Sequence, residues 1–270
     1  MSLLLKGRRE GREIVRVTPA SAGWQHVGFE AWRLAPGEQL EWQDATRESC
    51  VVVLSGTARV VAPGFDSGMI GGRRSVFDGA PPHAVYFPNG PHISVTAQSA
   101  CEIAIASAPG RGDVPPRLIP PEAMRRSVRG EGSNQRFVTD ILPADAPADS
   151  LLVVEVITPA GHSSSYPPHK HDTDRLPEES FLEETYYHRL EPSQGFAFQR
   201  VYTDDRSLDE SHAVEDHDVM MVPRGYHPVV VPHGYRSYYL NVMAGPKREW
   251  VFKNDPVHEW MLKPRGGLPR

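Results

Sequence analysis

The stretch Ser49-Cys50-Val51-Val52-Val53-Leu54-Ser55-Gly56-Thr57-Ala58-Arg59-Val60-Val61 indicates how this chain folds. Two valine-rich runs, each long enough for a short β-strand, stand on either side of Ser55-Gly56. Side chains branched at Cβ favour extended backbone, and glycine accepts the positive φ that a tight turn requires. The stretch therefore predicts two strands joined as a hairpin at Ser55-Gly56.

Similar short runs recur along the chain, each bounded by Gly, Pro, Ser or Asp. We predict further strands at residues 13–17, 30–34, 83–87, 92–97, 101–107, 137–141, 151–158, 184–190, 195–202, 218–222, 227–231 and 238–243. The 26 prolines and 23 glycines are scattered through these segments, which disfavours long helices. Regularly spaced short strands predict an all-β protein built of sandwiches or barrels.

The chain also shows an internal division. A polar stretch rich in Pro and Gly covers residues 108–116 and is typical of a crossing between domains. On its two sides the order of turns repeats, since Ala35-Pro36-Gly37 has a counterpart in Thr158-Pro159-Ala160-Gly161. We therefore predict two copies of one β unit, residues 1–112 and residues 113–270.

Composition excludes several classes of protein. The net charge is −5, and no block of Lys and Arg suggests binding to nucleic acid or to a membrane surface. The longest apolar runs have about four residues, whereas a membrane helix needs roughly 20. Leu3-Leu4-Leu5 is too short for the apolar part of a secretion signal. Cys50 and Cys101 are expected to be free and buried, and the protein is expected to be cytoplasmic.

Histidines concentrate in the second half, where nine of the twelve lie between His162 and His258. In Tyr166-Pro167-Pro168-His169-Lys170-His171-Asp172, the two histidines at i and i+2 of an extended segment point to one face. Glu184 opens a later strand, and His227 follows a turn that contains Gly225. Three imidazoles and one carboxylate predict a site for one divalent transition metal ion, with Zn, Mn, Fe and Ni as candidates.

The motif His169-x-His171, the downstream Glu184 and Pro223-x-Gly225-x-His227 are similar to the metal motifs of the cupin superfamily. The duplicated β unit resembles a bicupin, which implies two tandem jelly-roll-like barrels. In the common pattern the glutamate follows the second histidine by four or five residues, whereas here residues 172–183 intervene. Alternative carboxylate ligands in this interval are Glu178, Glu179 and Glu183.

Longer runs resemble one family of cupins, the 5-deoxy-glucuronate isomerases of myo-inositol breakdown. These runs are Ser163-Ser164-Ser165-Tyr166-Pro167-Pro168-His169-Lys170-His171-Asp172, Glu183-Glu184-Thr185-Tyr186-Tyr187, Gly195-Phe196-Ala197-Phe198-Gln199-Arg200-Val201-Tyr202-Thr203-Asp204-Asp205, Pro223-Arg224-Gly225-Tyr226-His227-Pro228 and Tyr238-Tyr239-Leu240-Asn241-Val242-Met243-Ala244-Gly245. The resemblance implies an aldose–ketose isomerase that converts 5-deoxy-glucuronate to 2-deoxy-5-keto-gluconate. Such a reaction needs stabilisation of a developing oxyanion, a base, and a cation for the substrate carboxylate.

Candidates for the base lie on two strands of the second half. His188 is the first candidate, because it shares the strand face of Glu184 at i+4. Tyr187 and Tyr238 are further catalytic candidates, as hydrogen-bond donors.

Candidates for substrate binding are Arg200, Arg224 and His233. Arg200 lies in the apolar strand Phe198-Gln199-Arg200-Val201-Tyr202, where a charge needs either solvent or a partner. Arg224 and His233 belong to turns. Arg136, between the two units, is another candidate for the carboxylate.

The first half lacks the paired histidines. Glu41-Trp42-Gln43 stands at the matching place, and only His92 corresponds to the late histidine. We therefore expect a structural first barrel without metal. Two other functions stay open, an Fe(II)-dependent cupin dioxygenase and a non-catalytic binding protein for sugar acids. Exposed edge strands favour pairing, so a homo-oligomer is also among the expectations.

Overall fold

The computed structural model describes residues 2–262, most of which lie in short strands. The first half contains β1 (Leu4–Leu5), β2 (Glu13–Val17), β3 (Gly28–Leu34), β4 (Gln39–Trp42), β5 (Arg47–Ser55), β6 (Thr57–Ala62), β7 (Phe65–Gly71), β8 (His83–Phe87), β9 (Ile93–Ala97) and β10 (Cys101–Pro109). A single turn of helix, α1 (Pro19–Ala22), follows β2 and is capped by Thr18.

The second half repeats this organisation with more strands. They are β11 (Arg117–Ile119), β12 (Arg125–Arg129), β13 (Arg136–Leu142), β14 (Leu152–Thr158), β15 (Ser163–Ser164), β16 (His169–Lys170), β17 (Asp172–Arg175), β18 (Glu179–Phe181), β19 (Glu183–Glu191), β20 (Phe196–Tyr202), β21 (Asp209–Glu215), β22 (Val219–Val222), β23 (Val229–Val230), β24 (Arg236–Ala244) and β25 (Lys253–Asn254). Short 3-10 turns occur at Pro121–Ala123, Gly132–Asn134 and Glu259–Leu262.

Each half forms a barrel from one large and one small antiparallel sheet. In the first barrel the large sheet has the order β11-β8-β5-β10-β3-β2, and the small sheet β4-β9-β6-β7. In the second barrel the large sheet has the order β1-β22-β19-β24-β14-β13-β12, and the small sheet β15-β23-β20-β21. The prediction of an all-β protein with two tandem barrels is confirmed.

The two barrels exchange one strand each. Leu4–Leu5 pairs with β22 in the second barrel, although it belongs to the first half of the chain. Arg117–Ile119 pairs with β8 in the first barrel, although it follows the predicted crossing. Each exchanged strand lies at the edge of a large sheet, β1 beside β22 and β11 beside β8. The chain therefore begins in the second barrel, enters the first barrel at β2 and returns to the second barrel after β11. The division at residue 112 stays a prediction, and β1 and β11 each lie in the barrel that the other half of the chain forms.

Alternation along the large sheets supplies two cores. On β5, Val51 and Val53 point into the first barrel, whereas Cys50, Val52 and Leu54 pack between the barrels. The cluster between the barrels combines side chains from both large sheets. In this cluster Cys50, Val52 and Leu54 are fully buried. Because the stabilising free energy of the hydrophobic effect is roughly proportional to the apolar area buried, this shared core holds the two barrels together.

Two glutamates reinforce that junction in a reciprocal manner. The Glu183 carboxylate accepts backbone N–H bonds from Gln25, His26 and Val27, which precede β3. The Glu48 carboxylate accepts backbone N–H bonds from the three residues 149–151, which precede β14. Each barrel therefore accepts hydrogen bonds from three backbone N–H groups of the other barrel, just before β3 in one case and just before β14 in the other.

The predicted hairpin at Ser55-Gly56 is wrong in its pairing. β5 and β6 both exist, but β5 pairs with β8 and β10, and β6 pairs with β7 and β9. Gly56, with φ of 77°, turns the chain from the large sheet to the small one. A Cβ at this residue would lie 2.2 Å from the Ala100 carbonyl oxygen, so glycine is required.

Candidate metal centre

Two of the predicted ligands come from the segment that enters the second barrel. His169 lies in β16, which pairs with β25, and His171 immediately follows β16. His171 is buried, whereas His169 is half-buried at the barrel mouth. The two ring centroids are 6.3 Å apart, which brings both imidazoles to one site.

The third histidine reaches the same site from the turn after β22. Gly225 has φ of 91°, and a Cβ there would lie 2.5 Å from the Tyr202 carbonyl oxygen. Only glycine fits this close approach without strain, and the turn delivers His227 into the barrel with no exposed surface. The ligand atoms of His169, His171 and His227 lie within 4.8 Å of one another. The structure therefore brings the three predicted imidazoles together.

Glu184, the second residue of β19, completes the group. Its Oε2 is 3.1 Å from His171 Nε2 and 3.3 Å from His227 Nε2, and its Oε1 accepts a hydrogen bond from Asn241 Nδ2. The other glutamates lie elsewhere. Glu183 binds backbone between the barrels, Glu179 accepts backbone N–H bonds of residues 172 and 173, and Glu178 is exposed.

Hydrogen bonds around the histidines prepare them as ligands. The Nδ1 atoms of His171 and His227 are 3.0 Å from the Leu182 carbonyl oxygen and 2.8 Å from the Gly225 carbonyl oxygen. An Nδ1–H donated to a carbonyl leaves the lone pair of Nε2 free and holds the ring in place. His227 Nε2 is buried without a hydrogen-bond partner among the described residues. This donor set fits a divalent transition metal ion.

Charge states at the site also favour a cation. Burial lowers the pKa of His227 to about 4, and burial together with the neighbouring imidazoles lowers the pKa of His169. Burial opposes charge on His171 as well, but the Glu184 carboxylate raises its pKa. Two of the three imidazoles are therefore neutral near neutral pH, the form that binds metal.

The interior beside this cluster is polar. The Tyr186 ring is 5.7 Å from the His227 ring and 6.1 Å from the His188 ring. His188 Nε2 is 2.9 Å from Gln199 Oε1, and Gln199 Nε2 donates to the His227 carbonyl oxygen at 3.4 Å. Tyr239 lies 4.9 Å from Tyr186 between ring centroids. These side chains form a wall of donors and acceptors next to the candidate ligands.

Two catalytic candidates face away from this interior. The Tyr187 hydroxyl donates to Glu102 at 2.6 Å, across the junction between barrels. Tyr238 packs in the same junction cluster, with the Arg73 guanidinium 5.9 Å from its ring centroid. The prediction of catalytic roles for Tyr187 and Tyr238 is corrected, because alternation turns both side chains to the outer face of the large sheet.

The three predicted substrate-binding residues also lie outside the barrel. Arg200 is on the outer face of β20, where it forms a bidentate ion pair with Asp209 and its side chain is 45% exposed. Its inward neighbours on the strand are Ala197, Gln199 and Val201. Arg224 and His233 are exposed in turns. The structure does not bring Arg200, Arg224 or His233 to the histidine cluster, and their assignment to the pocket is corrected.

Other residues line the mouth of the barrel. The Phe252 ring lies 4.7 Å from the His169 ring, and Trp250 lies 6.3 Å from Phe252. The Arg129 guanidinium stands 5.5 Å from the Trp250 ring centroid. Sequence reasoning missed these three residues, because they come from a strand edge and from an irregular C-terminal segment. Arg136, named only as a further candidate, faces the same interior as Val138.

Comparisons with known proteins agree with this geometry. The KduI/IolB family model matches residues 3–261. A 5-deoxy-glucuronate isomerase of Geobacillus kaustophilus is 52% identical over 254 residues, which cover 94% of this chain and 92% of that protein. One from Bacillus subtilis strain 168 is 50% identical over 248 residues, which cover 92% of each chain.

Solved structures show the same fold. The crystal structure of an IolB-like protein from Salmonella typhimurium LT2 superposes with a TM-score of 0.96 at 49% identity, covering 97% of this chain and 100% of that one. Lactobacillus farciminis oxalate decarboxylase superposes with a TM-score of 0.65 at 14% identity, covering 94% and 88%, and shares the fold alone. Within residues 2–262, none of the helices has the length and apolarity to cross a membrane. The chain belongs to the KduI/IolB family.

Proposed function

We propose that this protein is a metal-dependent isomerase that converts 5-deoxy-glucuronate to 2-deoxy-5-keto-gluconate in myo-inositol catabolism. The observation that carries the proposal is the convergence of three imidazoles and Glu184 beside a polar interior. Relatives with about half of their residues identical over nearly the whole chain have the name of that isomerase. The substrate is a small sugar acid, and the chemistry is redox-neutral overall.

The metal would be held by the four predicted ligands, His169, His171, Glu184 and His227. When bound, a divalent transition ion supplies Lewis-acid stabilisation of negative charge on a carbonyl oxygen. Asn241 holds the carboxylate of Glu184 in position, and the carbonyl oxygens of Leu182 and Gly225 orient two of the rings. Zn, Mn, Fe and Ni all suit this donor set, and metal analysis of the purified protein decides among them.

We assign the proton transfer to His188. In the reaction a proton leaves C2 and returns at C1, while the hydroxyl proton of O2 moves to O1, so that the aldehyde becomes an alcohol and the C2 alcohol becomes a ketone. The Gln199 carbonyl oxygen accepts from His188 Nε2, which leaves Nδ1 as the acceptor, and Nδ1 has no partner among the described residues. Burial lowers the pKa of His188 to about 4, so the ring is neutral at neutral pH, which is the form that a general base has before it takes the proton.

The proposal is tested by incubating the metal-loaded protein with 5-deoxy-glucuronate under nitrogen and following the sugar by proton NMR. We expect loss of the aldehyde signal and appearance of the ketose without any consumption of oxygen. A requirement for oxygen would indicate a dioxygenase, and saturable binding without product would indicate a binding protein. Either result would contradict the isomerase assignment.

The role of His188 has its own test. The variant His188→Gln should keep its metal and lose about 10²- to 10⁴-fold in kcat, the usual contribution of a general base. Full activity of this variant would remove His188 from the mechanism. A cytoplasmic location belongs to the same proposal, and the two free, buried cysteines suit a reducing compartment.

A further inference from the structure

Two arginines face each other on the inner face of the second barrel. Arg129 in β12 is the register partner of Arg136 in β13. Arg136 shares its strand face with Val138, which packs in the core of the second barrel. Like charges directly opposite on neighbouring strands destabilise a sheet. Their presence here therefore calls for a reason other than folding.

Within residues 2–262 the protein neutralises this pair only in part. Arg136 is half-buried, and its Nη1 donates to the backbone and side-chain oxygens of Asn134 at 3.2 and 3.4 Å. Within residues 2–262 its guanidinium forms no ion pair with a carboxylate. Arg129 reaches Asp140 only at 3.8 Å, and Asp140 already binds Arg125 at 2.9 Å. A partly buried guanidinium without a counter-ion is costly.

The pair lies at the mouth of the candidate metal centre. Asn134 Nδ2 donates to the carbonyl oxygen of Tyr166, in the segment that leads into His169. From the other side, Arg129 contacts Trp250, and Trp250 leads through Phe252 to the His169 ring. Arg136 is thus linked through Asn134 to the segment that carries His169, and Arg129 is linked through Trp250 and Phe252 to the His169 ring.

We propose that Arg136, supported by Arg129, forms an anion subsite that binds the carboxylate of the substrate. The inference rests on the proposed function, since in 5-deoxy-glucuronate the carboxylate and the reacting aldehyde are at opposite ends of the carbon chain. An arginine fork binds a carboxylate through two parallel hydrogen bonds. Binding the acid end at the barrel mouth directs the aldehyde end inward, towards the histidine cluster.

The kinetic test compares the wild type with Arg136→Gln and Arg126→Gln. Arg126 is the matched control, because it is an exposed arginine on the same strand with its side chain on the opposite face. We expect Arg136→Gln to raise KM for 5-deoxy-glucuronate at least about tenfold with a smaller change in kcat, as loss of uniform binding does. Arg126→Gln should keep the KM of the wild type, and all three proteins should hold equal metal by elemental analysis.

A binding test does not depend on turnover. Titration calorimetry with glucuronate and with glucose compares an acid with a neutral sugar of similar shape. The wild type should bind glucuronate at least about tenfold more tightly than glucose, and Arg136→Gln should bind the two alike. Because this preference is measured without reaction, it tests the subsite even if the protein fails to isomerise 5-deoxy-glucuronate.

Three results would overturn the subsite. They are an unchanged KM in a metal-loaded Arg136→Gln, equal binding of glucuronate and glucose by the wild type, and an acid preference that survives in the variant. If Arg136→Gln does not fold, Arg136→Lys and Arg129→Gln take its place. Arg136→Lys keeps the charge and loses the fork, so its KM should be higher than that of the wild type. Wild-type KM values in both substitutes would equally reject the proposal.

Discussion

The two barrels are built alike and filled differently. β5 lies between β8 and β10 in the first barrel, as β19 lies between β22 and β24 in the second. Glu48 in β5 and Glu183 in β19 occupy equivalent places. Three and five residues later, the side chains that point into the barrel are Val51 and Val53 in β5, and Tyr186 and His188 in β19. The first interior is a hydrocarbon core, whereas the second keeps imidazoles, hydroxyls and a carboxylate.

This difference shows where stability has been exchanged for chemistry. A buried polar atom without a partner costs about 1–3 kcal/mol, and the second barrel contains such atoms at His188 Nδ1, His227 Nε2 and Ser164 Oγ. A valine at the corresponding place in the first barrel has no such cost. The first barrel therefore supports the junction, and the second provides unsatisfied groups that a metal and a substrate can engage.

The largest expected effect is removal of one imidazole from the polar barrel. His171→Ala deletes a ligand that is held by Leu182 and Glu184, so we expect loss of bound metal and a fall in turnover of more than about 10³-fold. Metal content and kcat/KM measure this, and circular dichroism checks that the β fold persists.

The matched control is a histidine of the first barrel. His92 is exposed and lies 3.5 Å from Glu41 in an ion pair near the surface, so His92→Ala should leave metal content and turnover at wild-type values. If His92→Ala inactivated the enzyme, the functional contrast between the barrels would be wrong.

The next effect concerns the reciprocal glutamates. Glu48→Gln and Glu183→Gln each replace an acceptor of three backbone donors, so each should lower the free energy of unfolding by about 2–4 kcal/mol. Urea titration of both metal-free variants measures this. Only Glu183→Gln should also weaken metal binding, because residue 183 precedes Glu184. Equal metal affinities in the two variants would show that the junction and the site are independent.

The smallest effect is a pH dependence of stability. The pKa of His188 falls from its ordinary 6.5 to about 4 on burial, so the unfolded chain binds the proton more readily. The associated stability is complete above pH 6.5 and is lost as the pH falls towards 4, by on the order of 2 kcal/mol at pH 4.5. Urea titrations of the metal-free wild type and His188→Gln between pH 7 and 4.5 should diverge accordingly. Parallel curves would mean that His188 is not buried neutral.

Much of the fold was predictable from local pattern. Short valine-rich runs separated by turn residues predicted strands that the structure contains, such as Glu13–Val17 and His83–Phe87. The strand β21 is not among the predicted strands, because it begins with the charged side chains of Asp209 and Glu210. β21 is an exposed edge strand whose alternate side chains point to solvent, and such strands lack an apolar run.

The orientation of individual side chains was less accessible. Because side chains alternate along a strand, Tyr187 points to the face of β19 opposite to that of Glu184. A catalytic role for Tyr187 was therefore inconsistent with placing Glu184 at the site. Arg200 suggested a buried charge because Phe198 and Val201 flank it, yet Phe198 is itself 50% exposed on the outer face. The position of Tyr238 depended on its pairing with Arg189, which no local pattern encodes.

The sequence by itself determined the all-β class, the paired histidines at i and i+2, and the glycine turn before His227. These are local properties, since backbone preference and side-chain alternation act over a few residues. Only the tertiary structure decided that Glu184 meets those histidines, that β1 and β11 exchange barrels, and that Arg136 and Arg129 share the mouth of the site. Contacts between distant segments depend on how whole sheets pack, and that is set by the summed burial of many side chains rather than by any one motif.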